Sequence, residues 1–348
     1  MNITFNGKFI PVFNLLGIKR EHQDPDNAIY RSVEEFIANS EAYGYHGILL
    51  PESNEGLLNP WFFADMVSHQ ARKLHPFIAV NPVYAHPFYT AKYIANISLF
   101  SGKPLYLNYI TGTGLFDARS LGDTETHDAK YLRLLEYLQI VNRLLGEDDV
   151  TYEGKFYQVK NLSLPQRLEA SLLPRNFIAG NSEAALDVIN NTGATRLAMA
   201  MPLDDLKALN LMKTYRLGFH FGILGRADTE TATEALSVYC PEDQQKKSLQ
   251  QLTTRKSAVV WKKELLEKSK NMVAGTYNLI PFASGYSDVP YLVGSYKEVA
   301  KTIHDFLQHG LDLMVLEIPL TGANEFYHIG QVFAHLSDLQ EQVPANMK

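Results

Sequence analysis

The stretch NFIAGNSEAALDV, residues 176–188, decides how the chain folds. An apolar run stops at Gly180, a polar step of Asn181, Ser182 and Glu183 follows, and an alanine-rich segment with helical spacing begins. That is a strand, a tight turn and a helix in immediate succession. Ser182 stands where a helix cap belongs, because its hydroxyl can accept from a backbone N–H of the first turn. The glycine and the unpaired amides of a helix start also suit a phosphate. The local sequence leaves both readings open.

The same unit recurs along the chain. Short apolar, β-rich runs read IPVFNLL (10–16), HGILLPE (46–52), HPFIAVNP (75–82), PLYLNYIT (104–111), NFIAGN (176–181), RLAMAMP (196–202), RLGFHFGIL (216–224) and DLMVLEIP (312–319). Helical spacing fills the intervals. In 27–44, Ile29, Val33, Phe36 and Ile37 share a face, and the pattern stops before Gly44. Asn59-Pro60 reads as a cap followed by proline at the first helical position, and 86–100 repeats the plan. Strands alternating with helices fit a closed (β/α)8 barrel or an open doubly wound sheet. An open sheet for a dinucleotide wants G-x-G-x-x-G after its first strand, where NLLGIKREHQ (14–23) offers one glycine. The expected fold is therefore an α/β chain forming a single (β/α)8 TIM barrel over 1–348, with insertions after strands four and seven.

The first insertion spans 147–175 and contains TYEGKFYQV (151–159), which reads as a hairpin turning at Glu153-Gly154. The second spans 241–291. Its DQQKKSLQQLTTRKSAVVWKKELLEKSK (243–270) is polar and basic, which predicts a solvated helix pair that is also placed to act as a mobile lid.

Bulk properties narrow the function classes. A net charge of −6 argues against nucleic acid as a partner. No apolar run reaches the length of a membrane span. The start, MNITFNGKFIPVFNLL, lacks the pattern of a secretory signal. With Cys240 the single cysteine, neither a disulfide nor a cysteine metal cluster is expected, and the expected location is cytoplasmic.

Barrel active sites lie at the carboxyl ends of the strands. Those ends supply Asn14 and His22; Glu52, Ser53 and Asn54; Asn81 and His86; Asn108, Tyr109 and Thr111; Gly180, Asn181 and Ser182; then His220 and Glu317. The set is rich in amides and hydroxyls and poor in charge. It shows no metal-ligand spacing, so no metal is expected, and no G-x-S-x-G elbow. Such a mouth suits a bound organic cofactor that carries the hard chemistry.

PLYLNYITGTG (104–114), THDAKYLRLLEYLQIVNRLL (126–145), TYEGKFYQVKN (151–161), IAGNSEAALDV (178–188) and VGSYKEVAKTIHDFLQHGLDLMVLEIP (293–319), in that order and at similar spacing, resemble the luciferase-like flavin monooxygenases. The resemblance runs from about residue 10 to 338 and is greatest to the alkanesulfonate monooxygenase branch. It implies a bacterial luciferase-like barrel that takes FMN, as FMNH2, from a separate NAD(P)H-dependent flavin reductase and reacts it with O2. A small organic substrate is then oxygenated through a flavin peroxide. It also implies a homodimer or homotetramer. Carried over position by position, Asn81 meets the flavin ring, and Asn108 and Thr111 form the strand-four N-x-x-T. His127 and Tyr131 reach the phosphate, and Gly180, Asn181 and Ser182 complete the phosphate element.

The sequence departs from the sulfonate branch on the substrate side. The loop ESNEGLLNPW after strand two has no cysteine. On strand seven, His220 and Gly222 stand where that branch has an arginine and a histidine. Its insertion arginine has no clear counterpart in NLIPFASGYSDVPYLVG (278–294), although Arg255 lies upstream. Ile318 replaces a tyrosine after strand eight, and Ala200 or a neighbour a tryptophan. A sulfonate wants a guanidinium partner. The flavin site is thus expected to be kept and the substrate pocket rebuilt, less cationic and more apolar, with Leu57, Leu58, Phe62, Met201 and Ile318 and a substrate bearing an amide, an ester or a lipid-like chain. His220 is the candidate catalytic residue, as an imidazole of ordinary pKa able to move a proton. Two alternatives stand beside this reading: a deazaflavin (F420)-dependent oxidoreductase, and a flavin-binding protein without turnover.

Overall fold

The computed structural model describes residues 1, 3–15, 28–54, 56, 59–112, 120–209, 215–257, 259–270, 275–319, 321 and 324–341. His22, Leu57 and Leu58 lie outside them. The described strands are β1 (Ile3–Phe5), β2 (Lys8–Ile10), β3 (Val12–Leu15), β4 (Gly47–Leu50), β5 (His75–Val80), β6 (Tyr106–Tyr109), β7 (Val150–Glu153), β8 (Gln158–Leu162), β9 (Arg175–Ala179), β10 (Thr195–Met199), β11 (Leu217–Arg226), β12 (Tyr277–Asn278), β13 (Tyr291–Ser295) and β14 (Leu313–Glu317). The order β10-β9-β6-β5-β4-β3-β14-β11, with a further β10–β11 pairing, closes eight parallel strands into a (β/α)8 barrel. All eight expected apolar runs are barrel strands. They read as continuous runs because a parallel strand in such a barrel is buried on both faces.

The helices between them start where local chemistry dictates. Asn59 accepts from the amides of Trp61 and Phe62, with Pro60 opening the helix Pro60–Gln70. Thr126 caps His127–Gly146 through the Ala129 amide, and Ser182 caps Glu183–Thr192 through the Ala185 amide. The insertion after strand four carries the expected antiparallel hairpin, β7 against β8. The carboxylate of Glu136 holds its turn by accepting from the amides of Lys155, Phe156 and Tyr157 at 2.8, 2.8 and 3.1 Å. The insertion after strand seven carries the expected helix pair, Gln244–Lys256 and Val260–Lys270.

Two pieces go beyond the sequence reading. Asn6 and Gly7, both at positive φ, turn the β1–β2 hairpin, as an Asn-Gly pair between apolar runs does. The insertion ends in β13, which runs parallel to the second half of β11 and antiparallel to β12.

Contacts group the described residues into two compact units. One takes its residues from 18–38 and 47–197, and aromatic rings of three neighbouring strands pack in its core: Phe77 lies 4.9 Å from Phe177, which stacks at 5.9 Å on Tyr106. The other takes its residues from 1–17, 39–46 and 198–348. In it Phe219 and Phe221 of β11 pack on Phe306, and the Arg226 guanidinium makes a buried bidentate pair with Glu325 at 3.0 and 2.6 Å.

Candidate active site

In the 47–197 unit, the opening turn of the strand-five helix is the centre of a hydroxyl cluster. Gly180 has φ +152°, and a side chain there would put its Cβ 2.5 Å from the Tyr131 hydroxyl and 2.8 Å from Ala185 Cβ. Glycine is therefore required twice, for its backbone angle and for the close approach of Tyr131. The Tyr131 hydroxyl donates to the Ala179 carbonyl at 3.1 Å and also hydrogen-bonds Thr111 and Ser182. Burial raises its pKa, and the Thr111 and Ser182 contacts oppose that rise. His127 lies one helical turn before Tyr131, with ring centroids 5.1 Å apart, and its Nδ1 meets the Asp128 carboxylate at 2.9 Å. Thr111, His127, Tyr131, Gly180 and Ser182 thus converge on one helix N-terminus. Glu183, in the first turn, is exposed to solvent.

Asn181 differs in detail. Its side-chain oxygen accepts from the Arg196 guanidinium at 2.8 Å, which leaves its N–H groups as what it can offer an anion. Arg196 is buried, and the sequence reading missed it. Its signal was a lone charge in the apolar run RLAMAMP.

The two asparagines belong to neighbouring strands. Ala79 pairs with Asn108, and Asn81 follows two residues on, so period-two alternation puts Asn81 and Asn108 on one sheet face. Asn81 accepts from the Val83 amide at 3.2 Å, and a Cβ built at Gly112 would lie 3.4 Å from its Nδ2. Asn108 is buried, and its Oδ1 has no hydrogen-bond partner among the described residues. A buried acceptor without a donor costs free energy, which a ligand N–H removes. After strand two, Glu52 is partly buried, and burial pushes its carboxyl up to about 7 against the Ser53 amide that favours the anion. Asn14 serves the structure: its Nδ2 donates to Ser40 Oγ at 2.7 Å.

The other unit holds a second polar group at strands seven and eight. Glu317 ends β14, and its Oε1 accepts from the hydroxyls of Tyr291 at 2.8 Å and Tyr239 at 3.2 Å. Ser287 adds a further side-chain hydrogen bond. Burial raises the Glu317 pKa, and the contacts from Tyr291, Ser287 and Tyr239 oppose it. The Tyr291 ring lies across Gly222: a Cβ there would fall 2.2 Å from Cζ, 2.3 Å from Cε2 and 2.4 Å from Cε1. Gly222 therefore leaves a space that an aromatic ring fills. Tyr239, Tyr291 and Ser287 were not among the residues singled out in the sequence.

His220 differs electrostatically from expectation. Burial pushes its imidazole down to about 4, with the Asp288 carboxylate opposing, so it is neutral at pH 7. Its Nε2 is buried without a hydrogen-bond partner among the described residues. Of the apolar positions expected in the rebuilt pocket, Met201 and Ile318 are partly buried, while Phe62 is 53% exposed on its helix. Among the described residues no group of three or more His, Cys, Asp or Glu is arranged to hold a metal ion, and no helix is long and apolar enough to cross a membrane.

A closed barrel with amides and hydroxyls at its strand ends defines a (β/α)8 enzyme. A family model described as luciferase-like monooxygenase matches residues 12–312. The chain belongs to this family of flavin-dependent monooxygenases. It is 26% identical over 326 residues to the 4-(gamma-L-glutamylamino)butanoyl-[BtrI acyl-carrier protein] monooxygenase BtrO of Niallia circulans, covering 89% of this chain and 94% of that protein. Its fold is similar to EDTA monooxygenase (EmoA) from Chelativorans sp. BNC1, with a TM-score of 0.74 and 16% identity over 94% of each chain. It is also similar to the oxygenating constituent of 3,6-diketocamphane monooxygenase of Pseudomonas putida, solved with FMN, with a TM-score of 0.70 and 13% identity over 94% of this chain and 98% of that one.

Proposed function

We propose that the chain is the oxygenating component of a two-component monooxygenase that takes FMNH2 from a separate NAD(P)H-dependent reductase. The observation that carries this reading is the Thr111–Tyr131–Ser182 hydroxyl cluster around Gly180 at a helix N-terminus. It offers hydroxyls, backbone N–H groups and a favourable helix dipole to one phosphate. Asn108, with its unmet acceptor, and Asn81, on the same face, would hold the N–H and carbonyl edge of the flavin ring. When bound, the reduced flavin supplies the activation of O2.

The chain's own residues bind, orient and manage protons. His127 joins Tyr131 at the phosphate. Glu52, poised near neutrality, is placed to hold or release a proton at its carboxyl. His220, held neutral, acts as a hydrogen-bonding group rather than as an acid. A lid role for the helix pair of 241–291 predicts that its removal leaves FMN binding intact and diverts O2 to hydrogen peroxide.

The substrate is a small organic molecule with an amide, ester or lipid-like chain rather than a short sulfonate. BtrO, which by its name acts on an amide-bearing acyl group, supports this class. The test has two stages. Anaerobic titration compares FMNH2, FMN and coenzyme F420; F420 binding in preference to both would overturn the proposal in favour of hydride transfer. O2 consumption is then followed with FMN, NADH, a generic flavin reductase and candidate amides, esters and alkanesulfonates, with mass spectrometry of the products. Mass gain of one oxygen in an amide or ester supports the proposal. High turnover of short alkanesulfonates refutes the rebuilt pocket.

A further inference from the structure

Within the unit of strands seven and eight, one buried carboxyl stands without a basic partner. Glu317 is held by hydroxyls alone, from Tyr291, Tyr239 and Ser287. Among the described residues no basic side chain pairs with it. The nearby Asp288 is already matched by Lys262 at 2.8 Å. Such an arrangement fixes a carboxyl in place without supplying a positive charge.

His220 completes the picture. In the β11–β14 ladder Gly222 pairs with Glu317, and His220 pairs with Val315. His220 and Glu317 therefore lie on one face of adjacent strands, displaced by two residues, with Cα atoms roughly 8 Å apart from strand spacing and rise. The imidazole is neutral and its buried Nε2 is unpartnered, so it offers a lone pair when the proton sits on Nδ1. The two side chains can thus both present acceptors. A sulfonate or carboxylate offers only acceptors in return. A protonated amine offers three donors and the missing positive charge.

The strand itself is modified to build this group. Gly222 carries no side chain, and the Tyr291 ring occupies that volume and brings its hydroxyl to Glu317 Oε1. The Tyr291 and Tyr239 hydroxyl oxygens lie 3.1 Å apart, so the two phenols brace each other against the carboxyl.

We propose that Glu317 and His220 form a binding site for a protonated amine carried by the substrate, with Tyr291, seated on Gly222, and Tyr239 positioning the Glu317 carboxyl. This rests on the reading above that the chain acts on a small organic substrate, and it adds the charge of that substrate. Binding energy from such a group would orient the molecule by one end and leave the other free for the chemistry.

Calorimetric titration of the purified protein, with and without FMN, tests this directly. The probes are n-hexylamine, hexanol and hexanesulfonate, which share a chain and differ in the head group. Hexylammonium is expected to bind at least about tenfold more tightly than hexanol, one charge-assisted hydrogen bond being worth that much. Glu317→Gln is expected to abolish the preference. Tyr291→Phe, which keeps the ring over Gly222 and removes the hydroxyl, is expected to reduce it several-fold and serves if Glu317→Gln does not fold. Equal binding of amine and alcohol, preference for the sulfonate, or an amine preference untouched by both variants would overturn the proposal. Amine binding without FMN reads this site alone, so its failure is distinguishable from failure of flavin binding.

Discussion

Gly180→Ala is the sharpest test of the phosphate cradle. The new methyl meets two obstacles at once. Its backbone angle, φ +152°, belongs to glycine, and strain of this kind costs about 1–3 kcal/mol. The methyl would also sit 2.5 Å from the Tyr131 hydroxyl and 2.8 Å from Ala185 Cβ, and overpacking adds about 1–3 kcal/mol more. The total, about 2–6 kcal/mol, is less than the stability of many domains, so a folded but weakened protein is expected. Tyr131 must move, and it carries the hydrogen bonds to Ala179, Thr111 and Ser182 with it.

The informative assay compares FMN with riboflavin, which lacks the phosphate. Each charge-assisted hydrogen bond to phosphate is worth about 1.5–3 kcal/mol, or roughly 10- to 150-fold in affinity. Wild type should therefore prefer FMN, and Gly180→Ala should lose at least about tenfold of that preference with riboflavin binding little changed. Adding Tyr131→Phe removes the hydroxyl from the clash but leaves the backbone strain and the Ala185 contact, so the double variant should recover part of the stability without recovering the FMN preference. Equal losses for both ligands would refute the cradle and leave Gly180 a matter of folding alone.

Ser182→Asp places a carboxylate at the same turn: as a helix cap it should keep the fold, while charge repulsion weakens FMN against riboflavin in the same titration. Gly222→Ala should displace the Tyr291 ring at a cost of about 1–3 kcal/mol in urea unfolding, and Tyr291→Ala in the same chain should relieve most of it; additive losses would show that ring and glycine are not coupled. His220 has its folded pKa depressed to about 4, so its stabilisation is complete above the ordinary imidazole range, near pH 6.5, and is lost as pH falls towards 4. His220→Asn should flatten the acid side of the stability profile by up to about 3 kcal/mol, and an unchanged slope would contradict its burial. Glu317 has the opposite sign: its raised pKa gives stability that is present at low pH and lost as pH rises through the folded value, so Glu317→Gln should hold its stability better than wild type on the alkaline side.

What the sequence made legible was what short range dictates. The barrel strands are buried runs bounded by turn residues, and the Asn59, Thr126 and Ser182 caps lie within three residues of the amides they satisfy. The cluster around Gly180 was legible for the same reason: Gly180 and Ser182 adjoin one strand–helix turn, and His127 and Tyr131 are one helical turn apart. Arg196 was not, because the partner that gives it meaning, Asn181, belongs to the preceding strand–helix unit. The β1–β2 hairpin is written in Asn6-Gly7, an Asn-Gly pair between two apolar runs.

The substrate side shows the limit more deeply. In the sequence, Gly222 reads as a loss, a position stripped of the side chain expected there. In the structure it is half of a replacement, because the missing volume belongs to a ring from a strand 69 residues later. That ring delivers a hydroxyl to a carboxyl on yet another strand, and a tyrosine from the helix Thr229–Tyr239 closes the group. No periodicity links Gly222, Tyr239, Tyr291 and Glu317; β11's parallel pairing with both β13 and β14 does. A glycine in a barrel strand is therefore ambiguous until the register of its neighbours is known, and the same ambiguity separates a degenerate pocket from a rebuilt one. Here four hydroxyl and carboxyl groups meet with hydrogen-bond geometry around the vacated position. Gly222 and Tyr291 therefore fit as a pair: a Cβ at 222 would fall within 2.4 Å of three ring atoms, so the ring holds its hydroxyl on Glu317 only while position 222 stays glycine.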